Sequence, residues 1–173
     1  MSHYDPLIDS MAARLGRVLG HLQARVATAE SCTGGGIAEA ITRVAGSSAW
    51  FETGFVTYAN HSKQRWLGVT ADLLEAHGAV SEEVVQAMAS GAAAAAEAQF
   101  AVAVSGVAGP DGGSAEKPVG TVWFGWALDD GSVLTERKRF LGGRREVRAQ
   151  TVLHALERLV NEAEKRAANR LSV

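Results

Sequence analysis

The 173 residues fit one domain, with room for a core that needs neither disulfides nor metal. Hydrophobic side chains make up 47% and charged ones 21%, an ordinary globular balance, and the net charge of −2 argues against a sequence-independent grip on nucleic acid or an acidic membrane surface. The one cysteine, Cys32, excludes an internal disulfide framework and suits a reducing compartment, while neither a secretory signal nor a membrane-length apolar run is legible; together these predict a cytoplasmic protein.

In chain order, the spacing of Leu7, Ile8, Met11, Leu15, Val18, Leu19 and Leu22 predicts a helix over 5–22. A short strand at 25–29 runs into the polar stretch Glu30-Ser31-Cys32-Thr33-Gly34-Gly35-Gly36, and a helix continues to Val44. After a break at 45–48, the aromatic and β-branched segment from Trp50 to Tyr58 reads as a strand. Asn60 or Ser62 can cap a short helix through Leu67, and Thr70 another over 71–76. Ser81 is a good N-cap for a long helix over 82–98, with Glu82 and Glu83 complementing its dipole and an alanine tract suited to close packing on a sheet.

The apolar run 99–105 has the pattern of a central strand buried on both faces. It leads into a second glycine-rich loop, Ser105-Gly106-Val107-Ala108-Gly109-Pro110-Asp111-Gly112-Gly113-Ser114. Asp129-Asp130-Gly131, between apolar segments at 119–128 and 132–141, signals a hairpin. The last helix, from Arg144 to about Ala167, turns Val147, Thr151, Leu156, Leu159 and Val160 to the core, and the tail from about 165 to 173 is expected to fray. Helices alternating with strands, plus one hairpin, predict an α/β fold: a three-layer α/β/α sandwich with a mixed, mostly parallel sheet, in a single domain spanning 1–173.

Two glycine-rich loops behind apolar strands point to a small-molecule site. Ser31 stands where the first strand ends, ahead of glycine N–H groups that can stabilise an anion or a developing oxyanion. It can serve as a nucleophile if a base takes its proton, although spacing alone favours a serine that merely caps the helix. Cys32 competes, since a helix N-terminus lowers a thiol pKa, but the adjacent side chain is expected to point into the core. Tyr58, Asn60 and Lys63 cluster where a strand passes into a helix; a lysine acts as base only if burial or neighbouring cations depress its pKa, and a solvated lysine is the commoner case.

Gly106, Gly109, Gly112 and Gly113 permit close backbone approach to a ligand, or simply make a turn; the loop lacks the Gly-Lys-Ser/Thr ending of a Walker A. Arg144, Arg145 and Arg148 crowd a helix N-terminus against its dipole, which favours an anionic partner, whereas Arg137-Lys138-Arg139 reads as protection of an edge strand. The five histidines show no metal-ligand spacing, and a phosphatase would need metal-binding carboxylates that Asp129-Asp130 does not place near the glycine loops.

Taken together, Ala29-Glu30-Ser31-Cys32-Thr33-Gly34-Gly35, Gly46-Ser47-Ser48-Ala49-Trp50-Phe51, Gly54-Phe55-Val56-Thr57-Tyr58, His77-Gly78-Ala79-Val80-Ser81, the second glycine loop and Lys117-Pro118-Val119-Gly120-Thr121-Val122 closely resemble the CinA C-terminal domain family. The resemblance runs in register from about Leu7 to Val160, in the form that stands without an N-terminal molybdopterin-binding-like domain. It implies a nicotinamide-nucleotide amidohydrolase that converts nicotinamide mononucleotide (NMN) and water to nicotinate mononucleotide and ammonia, in NAD salvage.

Carried over by position, the resemblance implies Ser31 as nucleophile with Lys63 and Tyr58 activating it. The N–H groups of Thr33, Gly34 and Gly35 can supply oxyanion donors, Asn60 joins the substrate side from the Tyr58–Lys63 cluster, and the resemblance places Ser105 and Gly106 near the substrate. Phe140-Leu141-Gly142-Gly143-Arg144 matches the family's Phe-x-Gly-x-Arg and points to Arg144, with Gly109 and Gly112, for the ribose phosphate. No cofactor and no metal are implied. Trp50, Phe51, Trp66, Trp123 and Trp126 exceed the obvious needs of a small core, which with the resemblance predicts a homodimer or higher homo-oligomer. The competing reading is a nucleotide-binding regulatory module without catalysis, linked to competence or DNA damage.

Overall fold

The continuously apolar run near residue 100 becomes the middle strand of a five-stranded sheet, in a computed structural model that describes residues 3–171. The strands are β1 (Val26–Glu30), β2 (Phe51–Val56), β3 (Phe100–Gly106), β4 (Thr121–Ala127) and β5 (Val133–Arg139), in the order β2-β1-β3-β4-β5. β1 pairs in parallel with β2 and β3, and β4 runs antiparallel to both its neighbours, so β4 alone is reversed. All five residues of β1 are buried, as a strand covered on both faces requires.

Alternation along the strands divides the core in two. Val26, Val102, Val104, Phe124 and Trp126 face α1 (Asp5–Leu22), α2 (Gly36–Thr42) and α6 (Arg144–Leu171). Ala27, Ala29, Ala101 and Ala103 face α5 (Glu82–Ala95), with α3 (Asn60–Leu67) and α4 (Ala71–His77) packed beside it. The result is the expected three-layer α/β/α arrangement. Small side chains on the second face let α5 sit close to the sheet. Among the described residues no helix is long and apolar enough to cross a membrane.

Thr70 and Ser81 cap α4 and α5 as expected, accepting from Leu73 N at 3.2 Å and Val84 N at 3.4 Å. The helix ends differ where the sequence carries no glycine. α5 stops at Ala95 rather than 98, because Glu97 takes a left-handed φ of 49° and the Ala98 N–H turns back to Ala93 O, a Schellman closure made without glycine. α3 begins after Ala59, which caps it without a side-chain bond, so neither Asn60 nor Ser62 is the N-cap. The helix after the first glycine loop is shorter than expected, ending at Thr42.

The expected fraying from 165 is not seen through Leu171: Arg166 pairs with Asp129 and Asp130 in the β4–β5 turn, and Arg170 donates to Leu22 O at 3.0 Å. Residues 172–173 of that tail lie outside the described residues. The aromatic surplus is also mostly absorbed internally. Trp50 and Trp126 are buried, Phe51 and Trp123 are half-buried, and only Trp66 of that set is exposed.

α3 reaches the sheet by lying against α5 at Gly91, where an added Cβ would stand 2.0 Å from Leu67 O. A Gly91→Ala substitution should therefore push the end of α3 off α5. The expected cost is about 1–3 kcal/mol, read as a lower urea midpoint with an unchanged m-value. An unchanged midpoint would mean that the two helices do not need this close approach.

Candidate active site

β1 feeds α2 on one face of the sheet, and the neighbouring β2 feeds α3 on the other. Such divergence at the C-terminal ends of two neighbouring strands marks the usual place for a ligand crevice in an open α/β sheet. Ser31 is the first residue past β1, and its N–H donates to Val104 O at 3.1 Å, extending the ladder by one step. Lys63 comes from α3 on the other face of the sheet, and its Nζ stands 3.1 Å from Ser31 Oγ.

Lys63 is only 1% exposed, yet no acidic side chain forms an ion pair with it among the described residues. Its contacts are instead the carbonyl oxygens of Thr57 at 2.7 Å and Tyr58 at 3.4 Å. Burial of the amine away from water pushes its pKa below the ordinary lysine value. The geometry also orients the neutral form. Carbonyl oxygens can only accept, so they take the two N–H groups of a neutral amine and leave its lone pair facing the Ser31 hydroxyl. The arrangement can withdraw a proton from that hydroxyl.

Glu30, which the sequence reading passed over, organises the loop. Its fully buried carboxylate accepts from Thr33 Oγ1 at 2.6 Å, Ile37 N at 2.9 Å and Ala38 N at 2.8 Å. The N-terminus of α2 is thus filled by the protein's own anion. This corrects the expectation that this helix end lies open to a substrate anion. Gly34 and Gly35 take left-handed φ values of 59° and 97°, which turn the chain tightly enough for the loop to wrap that carboxylate. The Gly34 N–H is committed to Ser31 O at 3.0 Å and is therefore not an oxyanion donor, whereas the N–H groups of Thr33 and Gly35 have no acceptor among the described residues. Arg148 Nη2 donates to Thr33 O at 2.8 Å and braces the loop from α6. An acidic residue ending an apolar strand, with Thr three positions on and a helix start six on, was the available signal.

The remaining expected residues divide. Cys32 is buried, and desolvation first, then the nearby Glu30 charge, pushes its thiol up to about 12, so it is a packed side chain and not a thiolate. The Tyr58 phenol makes no hydrogen bond to Ser31 or Lys63; it is exposed and accepts from Arg144 Nη2 at 3.0 Å. Arg144 Nη1 donates to Gly109 O at 3.0 Å.

Ser105 is buried one residue past Val104, beside Ser31 at the end of the neighbouring strand. Asn60 and His61 are exposed on the first turn of α3 and hydrogen-bond to neither Ser31 nor Lys63. Gly106 and Gly109 are occupied with packing, since an added Cβ would lie 2.7 Å from Val122 Cγ2 and 2.6 Å from Val119 Cγ1; Gly112 is exposed. Among the described residues no group of three or more His, Cys, Asp or Glu side chains is placed to hold a metal ion.

Residues 8–163 match the profile of the family described as the CinA C-terminal domain. The chain is 62% identical over 156 residues to the nicotinamide-nucleotide amidohydrolase PncC of Pseudomonas putida, covering 90% of this chain and 96% of that protein. It is 53% identical over 155 residues to the protein of the same name from Escherichia coli K12, covering 90% and 94%. Among solved structures, the competence/damage inducible protein CihA from Agrobacterium tumefaciens superimposes with a TM-score of 0.89 at 48% identity, over 93% of this chain and 98% of that one.

The lowered pKa of Lys63 has a consequence for stability. Between its folded value and the ordinary 10.5, the unfolded chain binds more protons than the native one, so stability rises with pH across that window. Lys63→Met lacks this dependence. The variant should be the more stable near neutrality, and its lead in unfolding free energy, read by urea titration, should shrink as pH climbs toward 10.5, by about 1.4 kcal/mol for each unit of pKa lowering. A gap that stays constant with pH would mean that folding does not favour the neutral amine.

Proposed function

The chain belongs to the CinA C-terminal domain family, and on that premise we infer that it is a nicotinamide-nucleotide amidohydrolase in which Ser31 is the nucleophile and Lys63 its base. The observation that carries the assignment of residues is the 3.1 Å approach of a buried, carboxylate-free amine to the Ser31 hydroxyl. A purely ligand-binding module has no use for that pair.

The reaction begins with the neutral Lys63 amine taking the Ser31 proton as Oγ bonds to the carboxamide carbon of NMN. The carbonyl oxygen becomes an oxyanion, for which the Thr33 and Gly35 N–H groups are available donors. The C–N bond then breaks, and the departing nitrogen takes the proton from Lys63 and leaves as ammonia. Water attacks the acyl-enzyme, giving a proton to Lys63 and, through it, back to Ser31 Oγ as nicotinate mononucleotide departs. One amide and one water are consumed, and one acid and one ammonia are formed. Arg144 holds the ribose phosphate at the mouth of the crevice, so that the carboxamide arrives already oriented.

The same proposal includes a cytoplasmic protein that binds this small molecule rather than nucleic acid, and that works as a homodimer or higher homo-oligomer. Self-association is supported by the open edge of β2, where Glu52, Gly54 and Val56 are exposed and no lysine or proline blocks pairing, unlike the Arg137-Lys138-Arg139 edge of β5. Light scattering should return at least twice the chain mass; the mass of a single chain would remove this part of the proposal.

Ammonia release from NMN tests the chemistry. Ser31→Ala should lose activity by about a thousandfold or more, while Cys32→Ala keeps most of it. Lys63→Met should be inactive at every pH, and the wild type should lose activity on an acidic limb as Lys63 protonates. An active Ser31→Ala protein beside an inactive Cys32→Ala one would move the nucleophile by one residue.

A further inference from the structure

Tyr58 touches the site at both its ends. Its carbonyl is one of the two that aim the Lys63 amine, and its phenol oxygen accepts from Arg144 Nη2. Arg144, at the head of α6, also donates to Gly109 O. The guanidinium therefore ties the loop after β3 to the loop after β2, on either side of β1 and Ser31.

Of the five guanidinium N–H groups, these contacts use two, and the other three meet no acceptor among the described residues. A phenol oxygen that accepts from arginine keeps its own O–H to donate, and among the described residues that proton too has no acceptor. The Tyr58 residue is 59% exposed, so its position is not explained by burial of the ring.

We propose that the Tyr58 hydroxyl and the uncommitted N–H groups of Arg144 together form the subsite for the substrate's phosphomonoester, so that Tyr58 sets specificity rather than relaying the Ser31 proton. The inference rests on the amidohydrolase reading above. A hydroxyl donor beside a planar guanidinium fork matches a phosphate, which offers several acceptor oxygens and a double negative charge. One tyrosine side chain separates the carbonyl that aims the amine from the phenol that holds Arg144. NMN likewise carries its carboxamide and its phosphate at opposite ends.

The test compares wild type with Tyr58→Phe on NMN and on nicotinamide riboside, which presents the same carboxamide without the phosphate. Loss of a hydrogen bond to a charged group predicts an NMN KM raised about tenfold or more, with kcat and the acidic limb of the pH profile held. kcat/KM for the riboside should change by less than about twofold. The Tyr58→Phe/Arg144→Ala double variant should be little worse on NMN than Arg144→Ala alone, since two groups gripping one phosphate are not additive.

Equal losses of kcat on both substrates, or a displaced acidic limb, would return Tyr58 to the proton relay and overturn the proposal. So would a Tyr58→Phe enzyme unchanged on NMN. Calorimetry of NMN binding to Ser31→Ala, with and without Tyr58→Phe, reads the subsite independently of turnover. Weaker binding in the Tyr58→Phe background supports it, and equal binding overturns it. A wild-type protein that released no ammonia from NMN would defeat the amidohydrolase reading alone.

Discussion

An amine removed from water with no carboxylate to hold its charge sets the terms for the rest of the site. In most proteins a buried lysine is paired, and pairing keeps it protonated. Here Lys63 is given only peptide carbonyls and a serine hydroxyl, groups that hydrogen-bond to either form of the amine but do not repay the desolvation of the charged one. The cost falls on the fold, which must hold α3 against α5 while the lysine it carries disfavours burial. The bare backbone at Gly91 permits that position by letting the Leu67 carbonyl lie against α5.

The serine is held with comparable firmness from the opposite face. Glu30 draws Thr33 and the first N–H groups of α2 around its carboxylate, and Arg148 pins the Thr33 carbonyl from α6. Ser31, one residue past Glu30, sits between a strand locked on both sides and a loop wrapped on a buried anion. Ser31 and Lys63 thus belong to separate layers that meet at the diverging ends of β1 and β2. In the proposed reaction, preorganisation of this kind would reduce the rearrangement needed when the oxyanion forms.

Much of this was legible in the sequence, for identifiable reasons. Strand and helix identities followed from periodicity, and the Thr70 and Ser81 caps from their hydroxyls, because those signals are local. The end of α5 was harder to read: it closes on Glu97, which takes a left-handed φ of 49° without the glycine that would announce a stop. Lys63 was visible as a residue but not as a buried one, since a lone lysine on a polar helix carries no sign of its burial. Glu30 lies within the most conspicuous motif, but an acid at a strand end looks the same in sequence whether it is solvated or, as here, buried against the next helix. The partner of Tyr58 lies 86 residues away on α6, a separation that local pattern cannot bridge.

The occupied end of α2 also bears on where the substrate's permanent charge can go. A phosphate bound at that helix terminus would have to displace Glu30 from three hydrogen bonds and leave a buried carboxylate without partners. Glu30 closes the terminus to a second anion, because its oxygens already hold the N–H and hydroxyl donors found there. On the proposed assignment the phosphate goes instead to Arg144 and Tyr58, which are joined to each other at the exposed Tyr58 phenol, where solvent screens its field. Holding the carboxamide and the phosphate apart in this way would keep the substrate's double negative charge away from the amine that the proposed reaction needs neutral.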